Sequence, residues 1–271
     1  MKYQTVQGTD VPALGFGTYK ILGEDCEKGV QHALGIGYRH IDTAQAYDNE
    51  AFVGRALRAS GVARENIFLT TKIPPANFAH DAVLSSTLES LNKLRTDYVD
   101  LLLLHWPNPD VPLAETLSAL MALRERGAVR HIGVSNFPSR LVEEAQLHAP
   151  IFANQVEYHP YLGQDTLLEQ ARAQDYLLTA YSPVARGKVL NDETLLEIGH
   201  AHGKSPAQVT LRWLIQQDHV AAIPKASSEK NRVSNFEIFD FELSEGEMAR
   251  IFAPPRRERL VSPPWGPIWD D

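Results

Sequence analysis

Along the chain, short apolar runs rich in β-branched residues alternate with longer segments whose apolar positions recur at helical spacing. The short runs predict strands at Leu14–Gly17, His40–Thr43, Ile67–Lys72, Val99–His105, His131–Ser135, Asn154–Glu157, Leu177–Tyr181 and Val220–Pro224. Between them, periodic segments predict helices at Asp25–Leu34, Glu50–Ser60, Asp81–Leu94, Leu113–Arg126, Ser139–Gln146, Asp165–Ala173, Pro206–Gln217 and Glu229–Phe236. Start signals support several of these: Ser205-Pro206 puts proline at the first helical position, and Asp81 precedes an apolar run. A strand followed by a helix, repeated eight times, predicts an α/β fold with a parallel sheet closed into a (β/α)8 TIM barrel. Ahead of the first strand, Tyr3–Val11 turns at Gly8 and predicts an N-terminal β-hairpin across the barrel bottom. The longest gap precedes the last strand and predicts an extra helix over about Asp192–His202. Further C-terminal helical sequence leads into a tail after Pro254, rich in Pro and Arg and carrying two tryptophans, which is expected to fold over the open end.

Bulk properties narrow the setting. At 271 residues, with 44% hydrophobic and 22% charged residues, the chain is expected to form one domain over 1–271. Its one cysteine, Cys26, cannot form an intrachain disulfide, which favours a reducing, cytoplasmic setting. A formal charge of −8 disfavours nucleic acid and membrane surfaces as partners. No apolar stretch approaches the ~20 residues of a membrane span, and Met1–Asp10 shows no signal-peptide pattern. A phosphate-bearing ligand must then be held by local basic residues. The histidines show no metal spacing, since His200 and His202 lie two apart on a helix and cannot face one ion, so no metal is expected. Nothing marks an obligate interface, and a monomer is the default expectation.

Chemistry enters through position. Asp42, Lys72, His105, Ser135, Asn136, Gln155, Tyr181 and Lys225 fall at or just past the C-terminal ends of predicted strands, and a barrel delivers those ends to one rim. A polar residue often ends a strand merely by starting a loop, but a succession of reactive types does not arise that way. Asp42 and Tyr47 on one connection, with Lys72 and His105 on the next two strands, form a catalytic constellation. A lysine held charged by a carboxylate would stabilise a tyrosinate, and Lys72 is expected to lower the Tyr47 pKa from its ordinary value of about 10. His105 would orient a substrate oxygen. Read singly, Asp42 and Lys72 make a structural ion pair, Tyr47 a packing residue and His105 a satisfied core histidine.

Longer stretches carry a resemblance. Gly35-Ile-Gly-Tyr-Arg-His-Ile-Asp-Thr-Ala with Tyr47-Asp-Asn-Glu, Leu94 through His105-Trp-Pro, Ile132-Gly-Val-Ser-Asn-Phe, Asn154-Gln-Val-Glu-Tyr-His-Pro and Ile223-Pro-Lys occur in the order found in the aldo-keto reductases. The chain resembles that family from about Val11 onward, and among its members the bacterial 2,5-diketo-D-gluconate reductases. The resemblance implies an enzyme, an NADP-dependent oxidoreductase acting on a small-molecule carbonyl substrate, with NADPH as cofactor. Tyr47 would be the proton donor, Lys72 and Asp42 its tuning pair, and His105 the substrate-orienting histidine. Ser135, Asn136 and Gln155 would hydrogen-bond the nicotinamide carboxamide, and Tyr181 would stack on its ring. The stretch Ser182-Pro183-Val-Ala185-Arg-Gly187-Lys would cover the pyrophosphate, with Gly17 and Thr18 beside the nicotinamide. Tyr19, Phe78, Trp106 and residues near Trp265 would wall the substrate site, and the short segment from His105 to Leu113 suits small dicarbonyls or keto-sugars such as methylglyoxal or 2,5-diketo-D-gluconate.

The adenosine end departs from the family pattern. Members preferring NADPH usually follow Ile-Pro with Lys-Ser, an Arg six residues after the Lys and an Asn ten after it. Here Lys225 and Asn235 are kept, but Ala226 and Asn231 stand at the other two places. Ser227, Ser228, Lys230 and Arg232 are the residues left to hold a phosphate, and the strictness of NADPH over NADH is open. Two other readings compete: a barrel aldolase using Lys72 as Schiff-base nucleophile, and a nucleotide-binding regulator with little turnover. Gly15-Phe-Gly-Thr-Tyr-Lys begins like a dinucleotide fingerprint but lacks the third glycine, so a Rossmann site is not expected. Pro255–Arg259 reads as a solvated tail segment or an anion patch.

Overall fold

The computed structural model describes residues 1–253 and 257–270. An antiparallel hairpin of β1 (Tyr3–Val6) and β2 (Thr9–Pro12) opens the chain. Eight strand-and-helix units follow. They run β3 (Phe16–Gly17), α1 (Gly23–Ile36), β4 (His40–Asp42), α2 (Glu50–Ala59), β5 (Phe68–Ile73), α3 (His80–Leu94), β6 (Val99–Leu104) and α4 (Leu113–Glu125). The second half is β7 (Val129–Ser135), α5 (Ser139–Gln146), β8 (Ala153–Glu157), α6 (Asp165–Gln174), β9 (Leu177–Tyr181), α7 (Glu193–His202), α8 (Pro206–Gln216), β10 (Val220–Ala222), α9 (Glu229–Phe236) and α10 (Glu245–Ile251).

β3 to β10 pair in chain order, all parallel, as one eight-stranded sheet. β5 and β6 are buried at every position, which is why Phe68–Ile73 and Val99–Leu104 read as continuous rather than alternating apolar runs. The sheet curls until its edges meet. Leu14 bridges Ala222 and Gly17 bridges Lys225, and the Gly15 and Ala222 amides donate to Ala222 and Ala13 carbonyls at 2.8 Å each. This agrees with the expected (β/α)8 arrangement except at the seam, where bridges replace a continuous ladder. The first and last strands are shorter than expected for the same reason.

The hairpin lies under the sheet as expected, and Gln4 fastens it. Its Nε2 donates to the carbonyls of Ile215, Gln217 and Val220, and its Oε1 accepts the His219 amide. The extra helix before the last strand is α7, capped by the Asp192 side chain. α10 starts on a capping box of Ser244 and Glu247, a signal present in the sequence that the periodicity reading gave no bounds to. Beyond α10 the tail crosses the C-terminal strand ends: Arg257 bridges Leu162 and the Glu258 amide donates to Tyr161 O at 2.7 Å. Of the Pro255–Arg259 segment, Pro255 and Arg256 lie outside the described residues. Glu258 pairs with Lys188, and Arg259 lies over the Trp269 ring at 3.7 Å. Among the described residues, no helix is long and apolar enough to cross a membrane.

Close strand approach at β7 sets the position of the residues that follow it. A Cβ at Gly133 would lie 2.6 Å from both the Ala153 carbonyl and Leu103 Cδ2. Gly133→Ala is therefore expected to cost about 1–3 kcal/mol through overpacking, whereas Gly35→Ala, whose Cβ meets nothing within 4 Å on α1, is expected to be neutral or stabilising. Urea denaturation of both variants checks this.

Candidate active site

Asp42 ends β4, and the chain then folds back through a 3-10 turn, Gln45–Tyr47, that returns Tyr47 over the strand ends. The turn is locked by Asn49. Its Nδ2 donates to Thr18 O (3.0 Å) and Ile21 O (2.9 Å), and its Oδ1 accepts the Thr43 hydroxyl at 2.6 Å. Lys72 rises from the neighbouring β5 with its side chain fully buried. Its Nζ donates to Asp42 Oδ1 at 2.6 Å, to Thr43 O at 2.8 Å and to the Tyr47 hydroxyl at 3.4 Å. His105, just past β6, stands edge-on to the Tyr47 ring at 5.6 Å. Tyr47 and His105 keep partial exposure, so their polar atoms are within reach of a small molecule.

Burial governs the electrostatics here. It pushes the Tyr47 phenol well above its ordinary value, and Asp42, Tyr19 and Tyr181 add to the rise. This reverses the expected sign. Lys72 is held by Asp42 and offers Tyr47 only a long bond, so it does not outweigh desolvation. Near neutrality the phenol is thus a fully loaded donor. Burial also lowers Lys72, opposed by Asp42 and, further off, by Glu50. His105 is pushed down to about 3, first by burial and then by the Lys72 charge, which makes it a neutral imidazole.

The next three strand ends carry a connected polar set. The Ser135 hydroxyl donates to Gln155 O at 2.8 Å, and Asn136 Nδ2 donates to His105 O (3.0 Å) and to Ser135 Oγ (3.1 Å). Asn136 has φ 63°, a left-handed backbone that asparagine tolerates well. The Tyr181 hydroxyl donates to Asn136 Oδ1 at 2.7 Å, and Gln155 Nε2 donates to Asp42 Oδ2 at 2.8 Å. Thr18 donates from both amide and hydroxyl to Asp42 O at 3.0 Å, with Gly17 beside it in β3. After β9 the chain passes Ser182 and Pro183 into a tight turn. Ser182, Ala185, Arg186 and Gly187 all have positive φ there, which is free for the glycine and strained for the other three, strain of the kind held at functional loops.

At the far end Lys225, Ser227, Ser228 and Lys230 are exposed and Asn235 is buried. Ser228 caps α9 by accepting the Asn231 amide. Arg232 is a correction. It is only 5% exposed, and its guanidinium donates to Ala226 O, Ser227 O and His32 Nδ1 rather than facing a ligand. A one-residue offset on a helix turns a side chain by about 100°, here from the rim into the body. Phe78 is the second correction, because it packs in the core at 2% exposure and walls nothing. Tyr19 lies 5.1 Å from the Tyr47 ring, and Trp106 meets Trp265 edge-on at 5.2 Å. Sequence reasoning passed over Asn49, Thr43 and Glu157. Glu157 had a signal, since it stands two residues past Gln155 on the same strand face.

Comparison with known proteins decides the kinship of this site. The model of the Aldo/keto reductase family matches residues 13–253. The chain belongs to that family. Aldo-keto reductases are oxidoreductases, and three similar proteins show the company. The methylglyoxal reductase DkgB of Salmonella typhi is 40% identical over 266 residues, covering 96% of this chain and 99% of the relative. A solved structure of a putative 2,5-diketo-D-gluconic acid reductase B is 49% identical with a TM-score of 0.96, covering 100% of this chain and 98% of that one. The Bombyx mori aldo-keto reductase, solved in complex with NADP, is 31% identical with a TM-score of 0.89, covering 96% and 95%.

Two titrations check the electrostatics of this aldo-keto reductase site. The Tyr47 phenol is raised, so it stays protonated past the ordinary tyrosine pKa of about 10. Near-ultraviolet tyrosinate absorbance at that pH should be the same in wild type and Tyr47→Phe. His105 is depressed to about 3, so the unfolded chain binds its proton first as pH falls. The stability His105 contributes is then complete above about 6.5 and is lost between 6.5 and about 3. The acid limb of stability against pH should accordingly be shallower in His105→Phe, by up to one proton.

Proposed function

We propose that this chain is an NADPH-dependent carbonyl reductase that converts small dicarbonyls or keto-sugars to alcohols, with Tyr47 as proton donor. One observation carries the reading: a protonated, partly accessible phenol is held 3.4 Å from the Nζ of a buried lysine that Asp42 grips at 2.6 Å. An amide-and-aromatic set stands beside it.

That set fits a nicotinamide dinucleotide by its chemistry. Asn136, Gln155 and Ser135 offer the amide and hydroxyl groups that a carboxamide needs, and Tyr181 offers a partly exposed ring face. The positive-φ turn Ser182–Gly187 supplies a strained, close-fitting loop for the pyrophosphate. Exposed Lys225, Ser227, Ser228 and Lys230 would hold an adenosine phosphate, together with Asn235; Arg232 does not enter the set. When bound, the cofactor supplies the hydride. Tyr47 gives its O–H proton to the carbonyl oxygen as negative charge develops there, and the Lys72 ammonium stabilises the phenolate left behind. His105, neutral at working pH, donates an N–H to the same oxygen and aims the carbonyl. Tyr47 regains its proton from solvent. Tyr19, Trp106 and Trp265 wall the approach.

The substrate class is supported by the short His105–Leu113 segment and by the names of the similar proteins, a methylglyoxal reductase and a putative 2,5-diketo-D-gluconic acid reductase. The working form in this reading is a cytoplasmic monomer whose residues 1–271 act as one domain. An aldolase role for Lys72 is disfavoured. A Schiff-base lysine must present an unprotonated, reachable amine, and this Nζ is fully buried with three hydrogen-bond partners.

NADPH oxidation with methylglyoxal, 2,5-diketo-D-gluconate and an aromatic aldehyde tests the reading. Tyr47→Phe is expected to lower kcat/KM by about 10²–10⁴-fold while NADPH still binds. NADH should support measurable turnover too, since Asn231 stands where an arginine would favour NADPH and Arg232 is turned inward. Full activity in Tyr47→Phe, or failure of the wild type to bind NADPH, contradicts the proposal.

A further inference from the structure

We propose that Glu157 is the positioning residue of the substrate wall: its buried carboxylate docks the C-terminal tail, and the docked tail sets Trp265 against Trp106. The inference rests on the carbonyl-reductase reading of the site. Glu157 closes β8 with a side chain that is 0% exposed. Its Oε1 accepts the Leu260 amide at 2.8 Å and His159 Nε2 at 3.0 Å, and its Oε2 accepts the Val261 amide at 2.9 Å. The other His159 nitrogen, Nδ1, accepts the Tyr161 amide at 3.3 Å. The ring proton is therefore the one on Nε2, directed at Glu157.

A buried carboxylate must be satisfied by donors or it destabilises the fold. Two of the three N–H groups on Glu157 belong to the tail, so the carboxylate and the tail depend on each other. The tail is fastened at further points. Glu258 pairs with Lys188 of the loop after β9, and at the far end Asp270 Oδ2 accepts the Ser139 amide at 2.7 Å. Trp265 lies between these fastenings. It is 63% exposed and rests on Trp106 at 5.2 Å, directly after His105 in the chain. So exposed a ring is placed by its anchors more than by its own packing. Glu157 is also the register partner of Tyr181, so one strand end serves both the tail and the ring-stacking tyrosine.

Glu157→Gln keeps the shape but turns one acceptor oxygen into a donor facing an N–H. Hydrogen exchange at the Leu260 and Val261 amides is expected to be protected in the wild type and about tenfold faster or more in the variant. KM for an aromatic aldehyde, which reaches Trp265, should rise about tenfold. For methylglyoxal, which does not, KM should rise less, so that the ratio of the two KM values increases. Wild-type amides that exchange freely, or a variant with unchanged exchange and an unchanged ratio of the two KM values, would overturn the proposal. If circular dichroism shows that Glu157→Gln does not fold, Asp270→Ala opens the other anchor without touching the buried pair. It should shift the KM ratio in the same direction, and an unchanged ratio overturns the proposal. If the wild type reduces no carbonyl, the functional reading falls, while the exchange experiment still decides the docking.

Discussion

Burying an ammonium group with no exposure costs several kcal/mol unless opposite charge and hydrogen bonds compensate it. Lys72 is such a group, and much of the rim is arranged around its compensation. Asp42 sits one strand away with an oxygen at 2.6 Å, and the Thr43 carbonyl is turned inward at 2.8 Å. A second carboxylate, Glu50, adds long-range support while the Thr71 and Ser90 hydroxyls bond to it. The remaining Asp42 oxygen is taken by Gln155 from β8. β8 is four strands from β4 along the sheet, so this 2.8 Å contact exists only because the sheet curls round to bring them together. Fold and chemistry thus meet in one ion pair.

The same pair explains why the Tyr47 phenol is held protonated rather than tuned toward a phenolate. Lys72 already has two close partners when it meets the phenol, so the phenol experiences burial and the Asp42 charge before it experiences the ammonium. In the proposed reduction, a proton would leave Tyr47 only when an oxygen that needs it develops negative charge, and Lys72 would then have an anion to stabilise. The arrangement suits an acid used in one direction, loaded in the resting state. Elsewhere along the rim, the tail sets Trp265 against Trp106, and the loop after Ser182 holds a run of positive-φ residues.

Much of this was legible in the sequence. Strands such as Leu177–Tyr181 and helices such as Ser139–Gln146 and Glu229–Phe236 were readable to the residue, because turn signals bound them on both sides. The first and last strands were overdrawn because seam pairing depends on two distant segments meeting, which no local pattern encodes. Within the site, strand ends identified which residues would share a rim, and Asp42, Tyr47, Lys72 and His105 do lie together. Side-chain direction was less legible. Arg232 turns inward and Phe78 enters the core because helix phase and packing, not residue type, decide those outcomes. The sign of the Tyr47 shift was misjudged for a related reason: desolvation depends on enclosure by parts of the chain far away in sequence.

The most direct test of carbonyl reduction by this site follows the origin of each hydrogen in the product. NADPH carrying deuterium on one or the other face of the nicotinamide ring would be used to reduce methylglyoxal in ordinary water, with the alcohol read by NMR. Deuterium is expected on the carbinol carbon from one face only, the other being the face on which Tyr181 is proposed to stack. Deuterium transferred from both faces would contradict the stacking role of Tyr181. Carbon-bound hydrogen drawn from water would contradict hydride transfer itself and return Lys72 to consideration as a nucleophile.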